Sequence, residues 1–240
     1  MAKRATLYVL LLACLLAACK NTPAQNQRGT TDALPDYDSL KTAIELNRKL
    51  YYQQYSIATD SAGRQQVIKN ARSYMTGQLI NNLLPQWYGT PWAFEGTTTQ
   101  PRNGQIACGY FVTTVLQHAG FNLPRIKWAC VPSETLIKAI TDKRNIKHYI
   151  NTEATNVEAG IKASGPGIYI VGLDMHVGFI INTGSEIRFV HSNYYEPATG
   201  VMSQPLNSIN PLRDSKYRVA GKLLNDEMVR RWVMGERLDG

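Results

Sequence analysis

Metal-binding and phosphate-binding motifs are missing from this sequence. Its four cysteines and four histidines include no Cys-x-x-Cys pair and no two histidines four residues apart, the spacings typical of zinc sites. There is no glycine-rich phosphate loop and no arginine-rich aromatic platform. We therefore expect no metal, no cofactor and no nucleic-acid partner.

Long hydrophobic runs are also scarce. The most marked one follows Lys3 and Arg4 and covers residues 7–18. About a dozen apolar residues are too few for a membrane-spanning helix, which needs about twenty. A basic start followed by such a run is typical of a signal peptide, which we place at residues 1–18.

The run ends as Leu16-Ala17-Ala18-Cys19, which resembles the lipobox of bacterial lipoproteins. The resemblance implies that Cys19 becomes the N-terminus and carries a lipid that holds the protein to a membrane. Plain secretion, with cleavage after Ala17 or Ala18, is the alternative. Lys20 favours the outer membrane over the inner membrane, by analogy with lipoproteins of Gram-negative bacteria.

The segment after the signal is polar and the whole chain is basic. Residues 19–35 contain few apolar side chains and predict a flexible tether. The net charge of +8 falls to +6 when the signal peptide is removed. A basic protein outside the cytoplasm favours anionic partners, here lipid headgroups and the carboxylates of the cell wall.

Two cysteines, Cys108 and Cys130, remain once Cys14 leaves with the signal peptide and Cys19 is acylated. In an oxidising compartment they could form a disulfide. The alternative is that one of them is a reactive thiol, and their spacing alone does not decide between the two.

Periodicity divides the rest of the chain into a helical part and a sheet. Residues 36–84 predict two amphipathic helices, at 37–55 and 61–83, which precede the main domain at 85–240. This domain begins with a loop rich in glycine, threonine and proline and continues with a helix over 106–118 that ends at Gly120.

The remaining elements are mostly strands. A short helix over 133–140, capped by Ser133, is followed by strands at 167–173, 176–182, 186–191 and 216–223 and by a closing helix at 227–233. Helices first and an antiparallel sheet later are typical of the α+β class. We expect a single domain and a monomer.

Cys108 is the candidate nucleophile because it opens an apolar-faced helix. The free amides and positive dipole end of a helix N-terminus stabilise a thiolate, the form that attacks carbonyl groups. An inert buried thiol is the alternative. Gly109 beside it would let a substrate backbone come close.

His176 is the candidate base and His191 its partner. An imidazole can take and return a proton near neutral pH. His176 starts one predicted strand and His191 ends the next, and antiparallel pairing brings those two ends together. His191 could then orient His176 by a hydrogen bond. Asn193 could take the same role or contact the substrate.

The order of these motifs resembles that of the NlpC-type cell-wall cysteine peptidases, which belong to the papain-like superfamily. The resemblance covers about residues 89–223 and rests on the Cys108 helix, the Ala119 to Arg125 segment, the His176-Val177-Gly178 strand and the strand that ends at His191. It implies a papain-like fold, a Cys-His-His mechanism and peptidoglycan peptides as the substrate.

Three positions depart from the family pattern. Ala107 and Gly109 replace an Asp and a Ser that help relatives bind a free amine of the stem peptide. Trp92 replaces a tyrosine near the oxyanion, so it could shape the substrate site without a phenolic hydroxyl. The longer loop over residues 97–103 indicates a remodelled rim. We therefore also consider a related acyltransferase or amidase with another substrate, and a catalytically idle binding lipoprotein.

The other polar candidates have simpler interpretations. Asp174 is expected to be a turn residue. His118 lies in the last turn of the Cys108 helix and His148 lies in a lysine-rich stretch, so we interpret both as structural.

Overall fold

The structure is a computed structural model that describes residues 34–238. The predicted signal peptide, the acylation site Cys19 and nearly all of the tether lie outside these residues. Within the described range, no helix is long and apolar enough to cross a membrane.

The described chain is α+β, as predicted. The helices are α1 (Tyr37–Ile57), α2 (Ser61–Gly77), α3 (Leu84–Trp87), α4 (Cys108–His118), α5 (Arg125–Ala129), α6 (Ser133–Ile140), α7 (Ala154–Ala163), α8 (Pro211–Asp214) and α9 (Asp226–Met234). A π-helical segment, Gln78–Leu83, connects α2 to α3, and a 3-10 turn, Lys143–Asn145, precedes the first strand.

Six antiparallel strands form one sheet in the order β1-β6-β2-β3-β4-β5. The strands are β1 (Ile146–Ile150), β2 (Gly167–Leu173), β3 (Val177–Asn182), β4 (Ile187–Ser192), β5 (Val201–Pro205) and β6 (Tyr217–Lys222). The consecutive strands β2 to β4 are the predicted meander, which β5 extends by one strand, while β6 pairs with the other edge of β2.

The sheet is covered on both faces, which explains its nearly continuous apolar strands. Along β2, Ile168 and Ile170 pack into the core shared with α1, α2 and α4, while Tyr169 and Val171 pack with α7 on the opposite face. The N-terminal helices therefore belong to the same core as the predicted hydrolase domain.

Two predicted helix starts differ from the structure. The Cys108 helix begins at Cys108 rather than at residue 106, because Ala107 is still extended. Ser133 is not the cap of α6: Pro132 occupies that position and Ser133 is the first helical residue. Six helices and strands were not predicted, namely α3, α5, α7, α8, β1 and β5, and α3 occupies the start of the predicted loop.

Candidate active site

Cys108 is the first residue of α4, and no side chain caps this helix. Ala107 holds the N-cap position with φ −76° and ψ 159°, and makes no side-chain hydrogen bond to the first turn. The first-turn amides of a helix have no partner within the helix and carry partial positive charge. The nucleophile candidate therefore lies at an uncapped, electropositive helix end.

Two hydrogen bonds, one from the backbone and one from a side chain, fix the position of this helix start. The loop before it is held because Ala107 N–H donates to the Gly96 carbonyl at 2.8 Å. Ser192 Oγ, on β4, donates to the carbonyl of Ile106 at 2.7 Å and is fully buried. The start of the Cys108 helix is thus tied directly to the strand that carries His191.

Gly109 is required by packing. A Cβ atom at this position would lie 2.2 Å from the carbonyl oxygen of Ala129, at the end of α5. Its predicted role was to admit a substrate backbone, and it does line the cavities beside Cys108. The close approach of α4 to α5 gives glycine a structural reason that the sequence did not reveal.

His176 lies one residue before β3, in the turn that connects β2 to β3. Its carbonyl accepts a hydrogen bond from Leu173 N–H at 2.8 Å. The carboxylate of Asp174 in the same turn accepts from the backbone N–H groups of Lys216 and Tyr217 at 2.8 and 3.0 Å. Asp174 is therefore the turn residue that was predicted, and it holds the His176 turn against β6.

The two predicted histidines are hydrogen-bonded to each other. His176 Nε2 lies 2.8 Å from His191 Nδ1, and both residues are buried, at 4% and 0% exposure. Gly178 opposes His191 across the strand pair, and a Cβ there would approach the His191 Cβ at 2.8 Å. The missing side chain leaves room for the His191 ring, which stacks on Phe189 at 4.0 Å.

Gln204 extends this pair into a buried chain of three side chains. Its Nε2 lies 2.9 Å from His191 Nε2, and the residue is buried on β5. Gln204 was not identified from the sequence, because β5 itself was not predicted. A glutamine can present either its N–H or its oxygen, because the two are exchanged by rotating the amide.

The amide orientation decides which nitrogen of His176 can act as a base. If Gln204 donates its N–H, His191 carries its proton on Nδ1 and His176 carries its proton on Nδ1. If Gln204 presents its oxygen, the protons move to His191 Nε2 and His176 Nε2. Only then is Nδ1 of neutral His176 free to accept a proton. This buried Nδ1 has no hydrogen-bond partner among the described residues.

Burial keeps these groups uncharged. Burial lowers the pKa of His176 to about 3 and lowers the pKa of His191 well below its usual value. Burial also raises the pKa of Cys108, against the lowering effect of the Val177 backbone N–H. The expected lowered thiol pKa is therefore wrong for this arrangement, because desolvation outweighs the helix end. The resting state is therefore a neutral thiol and a neutral imidazole, with no hydrogen bond between Cys108 Sγ and His176 Nδ1.

Two cavities meet at Cys108 and His176. The first has a volume of about 590 Å³ and contains Trp92, Tyr110 and Tyr194 in its walls. The second has a volume of about 450 Å³ and lies on the side of α6 and β6. A substrate chain could thus extend to both sides of the nucleophile.

The two other predicted substrate contacts differ in position. Trp92 lines the first cavity, with its ring centroid 5.9 Å from that of Tyr194. Asn193 is fully buried and lines neither cavity. Its side chain accepts from Tyr195 N–H at 2.9 Å and donates to the Met202 sulfur at 3.1 Å. Asn193 thus shapes the loop after β4.

Cys108 and Cys130 are both free thiols. The exposed Cys130 sulfur lies 3.7 Å from Tyr110 Oη. A disulfide between the two cysteines, which the sequence left open, is absent from this arrangement.

The remaining histidines have structural partners. Tyr37 O–H donates to His118 Nδ1 at 2.8 Å and accepts from Trp87 Nε1 at 2.7 Å. His148 Nε2 lies 2.9 Å from a carboxylate oxygen of Glu134. Between residues 34 and 238, no group of three or more potential ligands could hold a metal ion.

Compared with known proteins, the chain matches no family model, no curated protein and no solved structure.

Proposed function

We propose that this protein is a papain-like cysteine hydrolase that cleaves amide bonds in peptidoglycan peptides. One observation carries the proposal. Cys108, at an uncapped helix N-terminus, and His176, with an unpartnered buried Nδ1, line the same two cavities. The packing of α4 on β3 and β4 supports the proposal, because it brings the Cys108 helix onto the strands that flank the two histidines.

The proposed reaction begins with a neutral pair. The Cys108 sulfur attacks the substrate carbonyl carbon while its proton passes to Nδ1 of His176. The C=O electron pair moves to the oxygen, and the oxyanion accepts a hydrogen bond from the backbone N–H of Cys108. His176 is now an imidazolium, which donates its Nε2 proton in the hydrogen bond to His191.

The second half of the reaction returns the enzyme to its resting state. The tetrahedral intermediate collapses, the C–N bond breaks, and the leaving amine takes the proton from His176 Nδ1. A water molecule then attacks the thioester while its proton passes to His176 Nδ1, the C–S bond breaks to release the acid, and His176 returns the proton to the Cys108 sulfur. Gln204 supports both halves of the reaction, because its amide oxygen accepts a hydrogen bond from the Nε2–H of His191.

The lipoprotein assignment is part of the proposal. Acylation of Cys19 would hold the enzyme at the cell envelope, with the outer membrane favoured by Lys20, and the polar tether would let it reach the wall. The basic charge of the chain fits an anionic wall polymer.

Hydrolysis of purified peptidoglycan tests the proposal. The full chain and its Cys108→Ala variant are incubated with peptidoglycan, and released peptides are identified by mass spectrometry. We expect release by the wild type and by Cys130→Ser, and none by Cys108→Ala. Equal release by Cys108→Ala, or release by neither protein, would contradict it.

An acyltransferase is a second candidate, favoured by Ala107 and Gly109 at the positions where relatives bind a free amine. The same thioester would form, and an amine would attack it in place of water. The same experiment is repeated with a primary amine present. Peptide products that carry the added amine would identify acyl transfer.

A catalytically idle binding lipoprotein is the third candidate, and the raised pKa of Cys108 is the observation that favours it. In that case the wild type and Cys108→Ala would sediment with peptidoglycan to the same extent, and neither would release a product.

A further inference from the structure

The first cavity beside Cys108, which we call the aromatic cavity, is built from large apolar side chains. Its 590 Å³ are bounded by the side chains of Trp92, Phe94, Tyr110, Met175 and Tyr194. The Tyr194 ring also lies against His176, with centroids 5.2 Å apart. The apolar walls therefore extend up to the proposed base.

Two of these side chains are almost fully exposed. Phe94 and Met175 have 79% and 87% of their surface accessible. Large apolar side chains that remain exposed next to a cavity are a feature of ligand-binding surfaces. Methionine also adapts its shape readily to apolar partners. An apolar ligand group would cover both side chains while it occupies the cavity.

Charge is nearly absent from the aromatic cavity. Glu95 is the only lining residue with a charged side chain, and no lysine or arginine lines it. Ala107 and Gly109, two of the positions that depart from the family pattern, both belong to its lining. Glu95 could pair with a bound ammonium, but nothing in these walls compensates the cost of removing a carboxylate from water.

One polar donor remains without a partner. The indole N–H of Trp92 is buried and makes no hydrogen bond among the described residues. A buried donor of this kind costs free energy until an acceptor satisfies it. A carbonyl oxygen of a bound amide could provide that acceptor.

The second cavity carries more polar and charged groups, although apolar side chains such as Leu136 and Met175 also line it. Its lining includes Ser133, Glu134, Asp174 and Tyr217. The Tyr217 hydroxyl donates to Glu134 at 2.6 Å. The two cavities therefore present different chemistry to the two sides of a bound substrate.

We propose that the aromatic cavity binds an uncharged apolar group of the substrate, adjacent to the scissile amide. This inference rests on the proposed function, since it assigns a substrate group to the same nucleophile. It makes the enzyme selective for amides whose neighbouring residue is apolar, and it disfavours a free carboxylate at that position.

Alkylation of Cys108 by reagents of different polarity tests this inference without a known substrate. The probes are iodoacetamide, 2-iodo-N-phenylacetamide and iodoacetate, and modification of Cys108 in the full chain is followed by peptide mass spectrometry. N-acetylcysteine in solution supplies the intrinsic reactivity of each probe. We expect the phenyl reagent to gain about tenfold over iodoacetamide at Cys108 relative to the solution thiol, and iodoacetate to lose rate.

Variants show whether the gain comes from the cavity walls. Phe94→Ser and Met175→Ser remove exposed side chains, so the fold should tolerate both, and each should reduce the gain severalfold. Ile126→Ser is the matched control, because Ile126 is an exposed apolar residue that lies in neither cavity. It should leave the gain unchanged.

The outcomes separate this inference from the proposed function. No gain for the phenyl reagent, or a gain that survives in both cavity variants, would overturn the apolar cavity even if peptidoglycan is cleaved. Cleavage by Cys108→Ala would overturn the hydrolase while the alkylation result still stands.

Discussion

The two halves of the candidate site differ in how the fold holds them. On the sheet side, His176, His191 and Gln204 are buried and joined by hydrogen bonds of 2.8 and 2.9 Å. On the helix side, Cys108 borders two cavities at a helix end without a side-chain cap. Under the proposed function, this difference means that the base is positioned in advance, while the nucleophile borders the space that a substrate would fill.

On the helix side of the site, we expect the largest loss of stability from substitution of Gly109. In Gly109→Ala the added Cβ meets the Ala129 carbonyl at 2.2 Å, so the backbone must shift. We expect the free energy of unfolding to fall by about 1–3 kcal/mol, measured by urea denaturation. Gly77→Ala is the matched control, because a Cβ there has nothing within 4 Å. Equal stability of the two variants would contradict the packing role of Gly109.

The sheet half can be tested at Gln204. Gln204→Leu leaves His191 Nε2 buried without its partner, so we expect kcat on peptidoglycan to fall about tenfold with little change in KM. In Gln204→Glu the carboxylate can still accept a hydrogen bond from His191 Nε2–H, so this variant should keep most of the activity. If Gln204→Leu and Gln204→Glu lower kcat equally, Gln204 does not set the tautomer of the histidine pair.

Acid should weaken the sheet half by charging its histidines. The pKa of His176 is about 3 in the folded protein, against about 6.5 in an unfolded chain. The folded state therefore binds fewer protons between these values, and its stability falls as pH falls through this window. His118, with a pKa lowered by burial to about 4, acts in the same direction.

We expect the free energy of unfolding to decrease by about 1 kcal/mol per pH unit for each of these histidines between pH 6 and pH 5. Urea denaturation at several pH values measures the slope. His118→Asn, in which the amide can replace Nδ1 as partner of Tyr37, should have a smaller slope. A stability that does not change between pH 7 and pH 5 would contradict the burial of neutral histidines.

Much of the sheet half was predictable because its strands leave a clear pattern. Strands β2, β3 and β4 are buried on both faces, so their apolar runs stand out, and their antiparallel order places His191 next to His176. Strand β5 has the sequence Val-Met-Ser-Gln-Pro at the sheet edge, with little apolar content. Gln204 was missed for that reason.

The helix half was less predictable because its properties depend on distant contacts. The sequence places Cys108 at a helix start, which suggests a lowered thiol pKa. Whether the thiol is also desolvated depends on the His176 turn and on α5, which no local pattern reveals. The same holds for Gly109, whose partner Ala129 is distant in the sequence.

The most direct test of the central claim is the pH dependence of Cys108 alkylation by iodoacetamide. The full chain and its His176→Ala variant are compared, with the exposed Cys130 as a reference in the same sample. Between the pKa of His176 and that of the thiol, the population of neutral thiol with neutral imidazole is constant. A base that accepts the proton during attack then makes the rate independent of pH.

We predict a plateau in the Cys108 rate from about pH 5 to pH 8 in the wild type. In His176→Ala the plateau should disappear, and the rate should fall about tenfold for each unit by which the pH decreases, as for any thiol that reacts only as its thiolate. The same pH dependence in wild type and His176→Ala would show that His176 does not act on Cys108 and would contradict the account.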